Sequence, residues 1–248
     1  MNADDVKRNA FAMPLTSPAF PPGPYRFVNR EYLIITYETD LDALRAVVPE
    51  PLTVVEPIVK YEFIRMPDST GFGDYTESGL VIPCHYEGTP CSFVAQMYLD
   101  DEAPIAGGRE IWGFPKKLAN PKLEVASDTL TATLDYAGQR VATGTMAYKH
   151  ENHSRDPQKT VDALQKLQVM LKLIPDVDGK PKIAQLVGLN ITEVTVKGSW
   201  AGPARLHLIP HVNAPVADLP VRKVLGGLHF IADLTLPGGR VLLDYMKS

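Results

Sequence analysis

The sequence has 248 residues, of which 45% are hydrophobic and 22% are charged, so it can bury a full-sized core without disulfides or a metal. Its formal net charge of -4 provides no basic surface for nucleic acid, and no apolar run approaches the ~20 residues that a membrane-spanning helix needs. No flexible linker divides the chain, so we predict a single domain over residues 1–248. Residues 1–20 lack the apolar run of a secretory signal, and we therefore expect a cytoplasmic protein.

Short strands are the main predicted elements. The 22 prolines are spread along the whole chain and exclude a helical bundle, because proline interrupts the interior turns of a helix. Runs with alternating or β-branched residues predict strands instead. In chain order these runs are residues 31–38, 52–64, 79–86, 92–99, 122–125, 129–136, 140–148, 168–174, 191–197, 205–208, 229–236 and 240–245.

Few helices are predicted among these strands. One covers residues 40–48 and ends before Pro49, a second covers residues 156–166, and a third short helix begins near Pro104. Strands that are neighbours along the chain should pair antiparallel. The expected fold is therefore mainly β, with antiparallel sheets packed in a double layer or closed into a barrel, a few peripheral helices and an interior cavity.

The common catalytic and cofactor fingerprints are absent from the sequence. It has no G-x-S-x-G nucleophile elbow, and the Gly-Phe-Gly of residues 71–73 lacks the third glycine and the following helix of a dinucleotide site. Histidine pairs occur at 150/153 and 207/211, but without carboxylate or cysteine ligands at metal-site spacing. We therefore predict no metal and no cofactor.

Two adjacent lysines, Lys116 and Lys117, occupy an unusual apolar stretch bounded by prolines, GREIWGFPKKLANPKL (residues 108–123). Lys116 either covers apolar surface and keeps its ammonium in water, or buries its amine, where the loss of hydration disfavours the charged form. The pattern alone leaves both interpretations open, and only the second makes a nucleophile. Consecutive side chains point to opposite faces of a strand, so desolvation should affect the pKa of Lys116 more than Lys117 does.

Around this lysine pair the sequence resembles acetoacetate decarboxylase. The resemblance rests on PLTSPAFPPGPYRFVNREY (14–32), LRAVVPEPL (44–52), YTESG (75–79), GREIWGFPKKL (108–118) and GTMAYKH (144–150). It covers nearly the whole chain, although residues 151–166 match poorly. It implies an antiparallel sheet closed into a cone-like barrel, and a large homo-oligomer, which in the family is a dodecamer.

The resemblance also implies the site residues. Lys116 would be the Schiff-base lysine, and Lys117 would be the charged neighbour that tunes its pKa. The implied polar partners are Arg30, Glu62 and Glu77, and the implied apolar lining is Phe27, Met97 and Phe114. On pattern alone, Glu77 could equally be a solvated carboxylate in a turn, Arg30 a partner of Glu31, and Glu62 an exposed strand residue.

The implied substrate is a small 3-oxo acid, acetoacetate. Its loss of CO2 leaves an electron pair that an iminium accepts better than a ketone does, so a neutral lysine amine replaces a cofactor. An ordinary lysine, with a pKa of about 10.4, is almost fully charged at neutral pH. Acetoacetate decarboxylase is itself the standard example of a lysine activated by desolvation or by a second cation.

Two other functions remain open from the sequence. A relative with the same fold and Schiff base could catalyse aldol addition or dehydration of a 2-oxo acid. A non-catalytic barrel could bind an apolar small ligand, with the lysine closing its cavity. If borohydride and substrate trap no adduct on the lysine, the protein is a binder. If an adduct is trapped, release of CO2 distinguishes the decarboxylase from the aldolase-like relative.

Overall fold

A computed structural model describes residues 1–247. They form four α-helices, sixteen strands, a π-helical turn at Gly108–Trp112 and a 3-10 turn at Val216–Asp218. The helices are α1 (Ala3–Asn9), α2 (Leu41–Val47), α3 (Glu102–Gly107) and α4 (Gln158–Leu164). The strands are β1 (Tyr25–Glu38), β2 (Ile58–Met66), β3 (Asp68–Ser69), β4 (Tyr75–Tyr86), β5 (Thr89–Leu99), β6 (Lys116–Leu118), β7 (Asn120–Ala126), β8 (Thr129–Tyr136), β9 (Gln139–Ala147), β10 (Glu151–Asn152), β11 (Leu167–Pro175), β12 (Pro181–Leu189), β13 (Thr192–Gly202), β14 (Ala204–Leu208), β15 (Lys223–Leu236) and β16 (Arg240–Asp244).

Twelve strands form one large mixed sheet. Its order is β10-β13-β15-β1-β2-β4-β5-β11-β12-β16, with β3 beside β1 and β6 beside β5. Across the described residues this order stays open, because β10 and β16 lie at opposite edges. β5 pairs in parallel with both β6 and β11, and the remaining pairings of the sheet are antiparallel.

The predicted fold, antiparallel sheets closed into a cone-like barrel or packed in a double layer, is therefore wrong, because the large sheet is mixed and no barrel closes within the described residues. The protein is mainly β, but it consists of one open mixed sheet and one small antiparallel sheet. Parallel pairing requires a crossover connection, which local patterns do not reveal. Here α3 and the π-helical turn connect β5 to β6, and β11 follows β5 only after β6, three strands of the small sheet (β7, β8 and β9), β10 and α4.

The small sheet has the order β14-β9-β8-β7 and packs on one face of the large sheet. Leu33 and Ile35 of β1 point towards it, and a Cβ on Gly144 of β9 would lie only 2.7 Å from the ring of Phe63. Tyr32, of the opposite parity, belongs to a second core on the other face. Strand β1 thus separates two buried cores, and the second one surrounds a cavity.

Two bulges direct side chains into this cavity. The pairing of β1 with β15 shifts between Phe27 and Arg30, where Asn29 has a φ of 56°. Residues three apart point to opposite faces of a regular strand, but the extra residue returns both Phe27 and Arg30 to the cavity face. A shift in the pairing of β5 with β4 does the same for Val94 and Met97.

The π-helical turn positions β6. The amides of Gly113 and Phe114 both donate to the carbonyl oxygen of Gly108, each at 3.0 Å. Gly113 ends the turn with a φ of 83°, and a Cβ there would lie 2.4 Å from the Cα of Lys172 in β11. Glycine satisfies both requirements. The chain then continues into β6, where Lys116 lies opposite Met97.

The three predicted helices are present with shifted bounds. They correspond to α2, α4 and α3, whereas α1 was not predicted. Strands β3, β6, β10 and β12 also lack a predicted counterpart. None of the helices within residues 1–247 has the length and apolar character needed to cross a membrane.

Substituting Gly113→Ala should destabilise the protein by about 3 kcal/mol or more, because the new Cβ adds a backbone clash to the ~1–2 kcal/mol cost of a left-handed alanine. Gly138→Ala is the matched control, since Gly138 has a φ of 79° and nothing within 4 Å of the added atom. Denaturant unfolding of both variants measures the difference. Equal losses of stability would contradict the clash with Lys172.

Candidate active site

The cavity has a volume of about 140 Å³ and lies in the second core. Part of the cavity wall is a row of residues that pair with one another across five adjacent strands of the large sheet. In order, the row contains Ile34, Glu62, Gly79, Met97 and Lys116. Gly79 allows close approach in this row, because a Cβ there would lie 2.5 Å from the carbonyl oxygen of Gln96. Glu62 and Lys116 therefore face the same space.

Lys116 and Glu77 form a buried ion pair at the cavity wall. Lys116 Nζ lies 3.1 Å from Glu77 Oε2, and the two side chains are 8% and 2% exposed. The lysine stem packs on Gly108, where a Cβ would lie 2.6 Å from Lys116 Cδ. The ring centres of Tyr75 and Phe114 lie 5.8 and 5.4 Å from Nζ. The amine is thus enclosed by apolar groups beside a carboxylate.

Burial is the largest influence on the amine, and it lowers the pKa of Lys116 below the usual lysine value. Glu77 opposes this shift because it stabilises the ammonium, and Arg30 lowers the pKa further by repulsion. Both the direction and the main cause agree with the desolvation inferred from strand alternation. The second cation that acts on Lys116 is Arg30.

Lys117 lies outside the cavity. Its exposed side chain donates from Nζ to the carbonyl oxygen of Asn213 and lies 5.0 Å from the ring centre of Tyr136. It is not among the groups that shift the pKa of Lys116. The structure therefore does not bring this predicted tuning residue into the site.

Arg30 lies on the other side of Glu77. Its Nη2 is 3.8 Å from Glu77 Oε1, so each oxygen of this carboxylate faces a different cation. The guanidinium carbon lies 5.0 Å from the ring centre of Phe27 and 4.9 Å from that of Tyr32. Arg30 Nε is buried and has no hydrogen-bond partner among residues 1–247. Glu31, the alternative partner, instead contacts His229 at 2.8 Å.

Glu62 is a half-buried acid of the same cavity. Burial raises its pKa to about 7, Glu77 adds to the rise, and Lys60 and Arg30 partly offset it. Its carboxyl group therefore changes charge near neutral pH. Within residues 1–247, no group of three or more His, Cys, Asp or Glu side chains could hold a metal ion.

The structure brings together most of the predicted site residues. The cavity is lined by Lys116, Glu77, Arg30, Glu62, Phe27, Met97 and Phe114. Glu77 lies within β4 and not in a turn. Sequence reasoning missed Tyr75, Gly108 and Lys60. Each of them had a signal in the sequence that could have found it. Tyr75 opens the YTESG motif, Gly108 belongs to the glycine pair before Arg109, and Lys60 lies two residues before Glu62 and so on the same face of its strand.

Comparisons with known proteins identify one family. The family model described as acetoacetate decarboxylase (ADC) matches residues 12–246. The acetoacetate decarboxylase of Bordetella avium is 62% identical over 248 residues, which span 100% of both chains. That of Acidiphilium cryptum is 59% identical over 246 residues, which span 99% of this chain and 100% of the relative.

Solved structures extend the comparison to the fold. The crystal structure of acetoacetate decarboxylase from Legionella pneumophila matches with a TM-score of 0.92 and 52% identity, over 97% of this chain and 96% of that one. The enduracididine biosynthesis enzyme MppR complexed with pyruvate matches with a TM-score of 0.82 over 95% of this chain and 98% of that one. At 19% identity, this second likeness concerns the fold alone. Since the family model and the full-length relatives agree, the chain belongs to the acetoacetate decarboxylase family.

Proposed function

We propose that this protein decarboxylates acetoacetate to acetone and CO2 through a Schiff base on Lys116. The observation that carries this proposal is a buried amine of lowered pKa, 3.1 Å from a carboxylate, in the wall of a small cavity. Full-length relatives about 60% identical are acetoacetate decarboxylases, which supports acetoacetate as the substrate.

Schiff-base formation uses Lys116 and Glu77. The neutral amine attacks the ketone carbon and gives a carbinolamine, which must lose water to become the iminium. Glu77 takes a proton from the attacking nitrogen and returns it to the departing hydroxyl group. Its distance of 3.1 Å from Nζ suits both transfers.

Loss of CO2 then needs an electron sink and a carboxylate that is free to leave. The bond between C1 and C2 breaks, and its electron pair passes into the iminium to form an enamine. A tight clamp on the carboxylate would oppose its departure as neutral CO2. We therefore assign Arg30 mainly to holding Glu77, while its unpaired Nε attracts the incoming anion.

Glu62 is assigned the return of a proton to the enamine carbon. It shares the cross-strand row of Lys116, and its pKa of about 7 gives it both charge states at neutral pH, as a general acid–base needs. Hydrolysis of the resulting iminium releases acetone and the amine. Phe27, Met97 and Phe114 provide the apolar wall that keeps the amine uncharged.

The other functions considered from the sequence have less support. The likeness to MppR concerns the fold alone, and a simple binder does not require an amine of lowered pKa beside a carboxylate. The homo-oligomer, the cytoplasmic location and the single domain remain predictions. The single domain is supported by the common core between the two sheets.

Lys116→Arg should abolish CO2 release from acetoacetate, because arginine retains the positive charge but has no amine that condenses with a ketone. Lys117→Arg is the matched control and should remain active. Borohydride added with substrate should trap an adduct on Lys116 in the unsubstituted protein. Activity in Lys116→Arg would overturn the proposal, trapping without CO2 would indicate the aldolase-like reaction, and no trapping would indicate a binder.

Activity should be lost as pH falls through the lowered pKa of Lys116, since the amine is then protonated and cannot attack. Lys117→Met should move this acid limb of kcat/KM by less than about half a unit, because exposed charges interact weakly through water. Arg30→Met should move the acid limb to higher pH. The substitution removes a cation that lowers the pKa of Lys116, and Glu77 then interacts with the Lys116 ammonium without competition from Arg30. A larger shift in Lys117→Met than in Arg30→Met would contradict this assignment.

Gly108→Ala should lower kcat by roughly 10- to 100-fold, because the added methyl displaces the Lys116 stem, and small misplacements of reacting groups are costly. Its φ of -61° and ψ of -44° suit alanine, so the melting temperature should hardly change. Gly238→Ala, with nothing within 4 Å of the added atom, is the control. Full activity in Gly108→Ala would show that the amine tolerates the displacement.

A further inference from the structure

The bulge that turns Arg30 into the cavity is bonded to a carboxylate on the neighbouring strand. Between the pairs made by Phe27 and Arg30, two residues of β1 lie opposite one residue of β15, which is Asp233. A bulge of this kind leaves a backbone amide without its usual ladder partner. The amide of Asn29 donates instead to Asp233 Oδ1 at 2.8 Å.

The Asp233 carboxylate also binds two cations. Lys197 Nζ lies 2.7 Å from Asp233 Oδ1 and donates to Asn29 Oδ1 at 2.6 Å, so it connects the two sides of the bulge. Arg26 Nη2 lies 3.6 Å from Asp233 Oδ2. Lys197 is itself the extra residue at a shift in the pairing of β13 with β15. Asp233 thus links irregular positions in both strands that flank β15.

Asp233 lies behind the sheet as seen from the cavity. Its neighbours on β15, Ala232 and Leu234, belong to the second core, and strand alternation points the Asp233 side chain to the opposite face. The carboxylate is half-buried there, with a side chain that is 17% exposed. Asp233 can therefore influence the cavity only through the backbone of the strands that it joins.

The carboxylate is ionised near neutral pH. Burial alone would raise the pKa of Asp233, but hydrogen bonds from the Asn29 amide and from Lys197 hold this pKa below its usual value. An exposed ion pair between Asp233 and Lys197 would by itself add little. The bond to the Asn29 amide is different, because a charged acceptor binds a backbone amide more strongly than a neutral carbonyl does.

The backbone at Asn29 requires such a bond. Its φ of 56° is in the left-handed region, which asparagine adopts at a small cost. If the bulge relaxed to regular pairing, Phe27 and Arg30 could not both face the cavity, since residues three apart point to opposite faces. Arg30 Nη2 is already 3.8 Å from Glu77 Oε1, so a small displacement would separate this pair.

We propose that Asp233 is a positioning residue for the decarboxylation: it fixes the bulge of β1 from behind the sheet and so holds the Arg30 guanidinium against Glu77. This inference rests on the proposed function, because its effect is measured through the Lys116 amine. Asp233 touches neither the substrate nor the reacting atoms, and Lys197 supports it in this role.

The pH dependence of the reaction reports on this role. The titratable groups that face the Lys116 amine are Glu77 and Tyr75 on β4, Glu62 on β2 and Arg30 on β1. Of these four, Arg30 alone lies on the strand that carries the bulge. Displacement of Arg30 removes a repulsive charge, so the pKa of Lys116 should rise.

Asp233→Ala should therefore move the acid limb of kcat/KM to higher pH, in the direction expected for Arg30→Met, and should lower kcat/KM at neutral pH roughly tenfold. Asp233→Asn keeps an oxygen for the Asn29 amide and should restore much of the activity. Asp135→Ala is the matched control and should leave the acid limb unchanged. Asp135 also lies at a register shift and accepts from Arg140, but it belongs to the small sheet.

The decisive measurement adds Asp233→Ala to Arg30→Met. If Asp233 acts through Arg30, the double variant should have the same acid limb as Arg30→Met alone. A further shift in the double variant, or an unchanged limb in Asp233→Ala, would overturn the inference and leave Asp233 with a role in stability only.

Should Asp233→Ala fail to fold, Lys197→Met provides the same comparison. It removes one of the donors to Asp233 and should produce a smaller shift in the same direction. An unchanged limb in Lys197→Met would then overturn the inference. Absence of CO2 release from acetoacetate by the unsubstituted protein would instead overturn the proposed function.

Discussion

The charge on one buried nitrogen constrains the rest of the site. In the proposed reaction Lys116 must be neutral, yet its nearest partner, Glu77, stabilises the charged form. Burial favours the neutral amine instead. Arg30 repels the Lys116 ammonium and also forms an ion pair with the carboxylate of Glu77. Each unit of pKa corresponds to about 1.36 kcal/mol, so modest changes in these distances alter the fraction of reactive amine severalfold. The site is therefore a balance among three groups, each of which has a position fixed by a strand.

The sheet supplies those positions through register. Lys116 lies on a three-residue strand that pairs in parallel with β5, and this pairing brings the amine into the row of Glu62. Glycines make the close contacts possible: Gly108 accommodates the lysine stem, and Gly113 lets the chain turn against β11. Strands hold reactive groups more precisely than loops do, which suits chemistry that depends on a few tenths of an ångström.

The sequence predicted the family, and it did not predict the architecture. Motifs predicted Lys116, Glu77 and Arg30 as site residues, and all three line one cavity. Strand alternation indicated that Lys117 does not share a pocket with Lys116, and its side chain lies outside the cavity. The closed antiparallel barrel was wrong because parallel pairing of β5 depends on long crossovers, which hydrophobic periodicity does not encode. Lys60 was missed because a lysine among alternating strand residues has the pattern of a solvated face, and only the second core reveals that this face is enclosed.

The bulge at Asn29 has an evolutionary consequence. It determines which side chains of β1 face the cavity. Loss of one residue between Phe27 and Arg30 would turn the side chains of the preceding segment towards the opposite core, although no polar side chain of the cavity would be replaced. The hairpin turn at Ala137 and Gly138 does not determine which side chains are buried, because the space around Gly138 is open. Insertions and deletions should therefore accumulate at hairpins of this kind in diverging lineages, while the spacing of β1 stays constant.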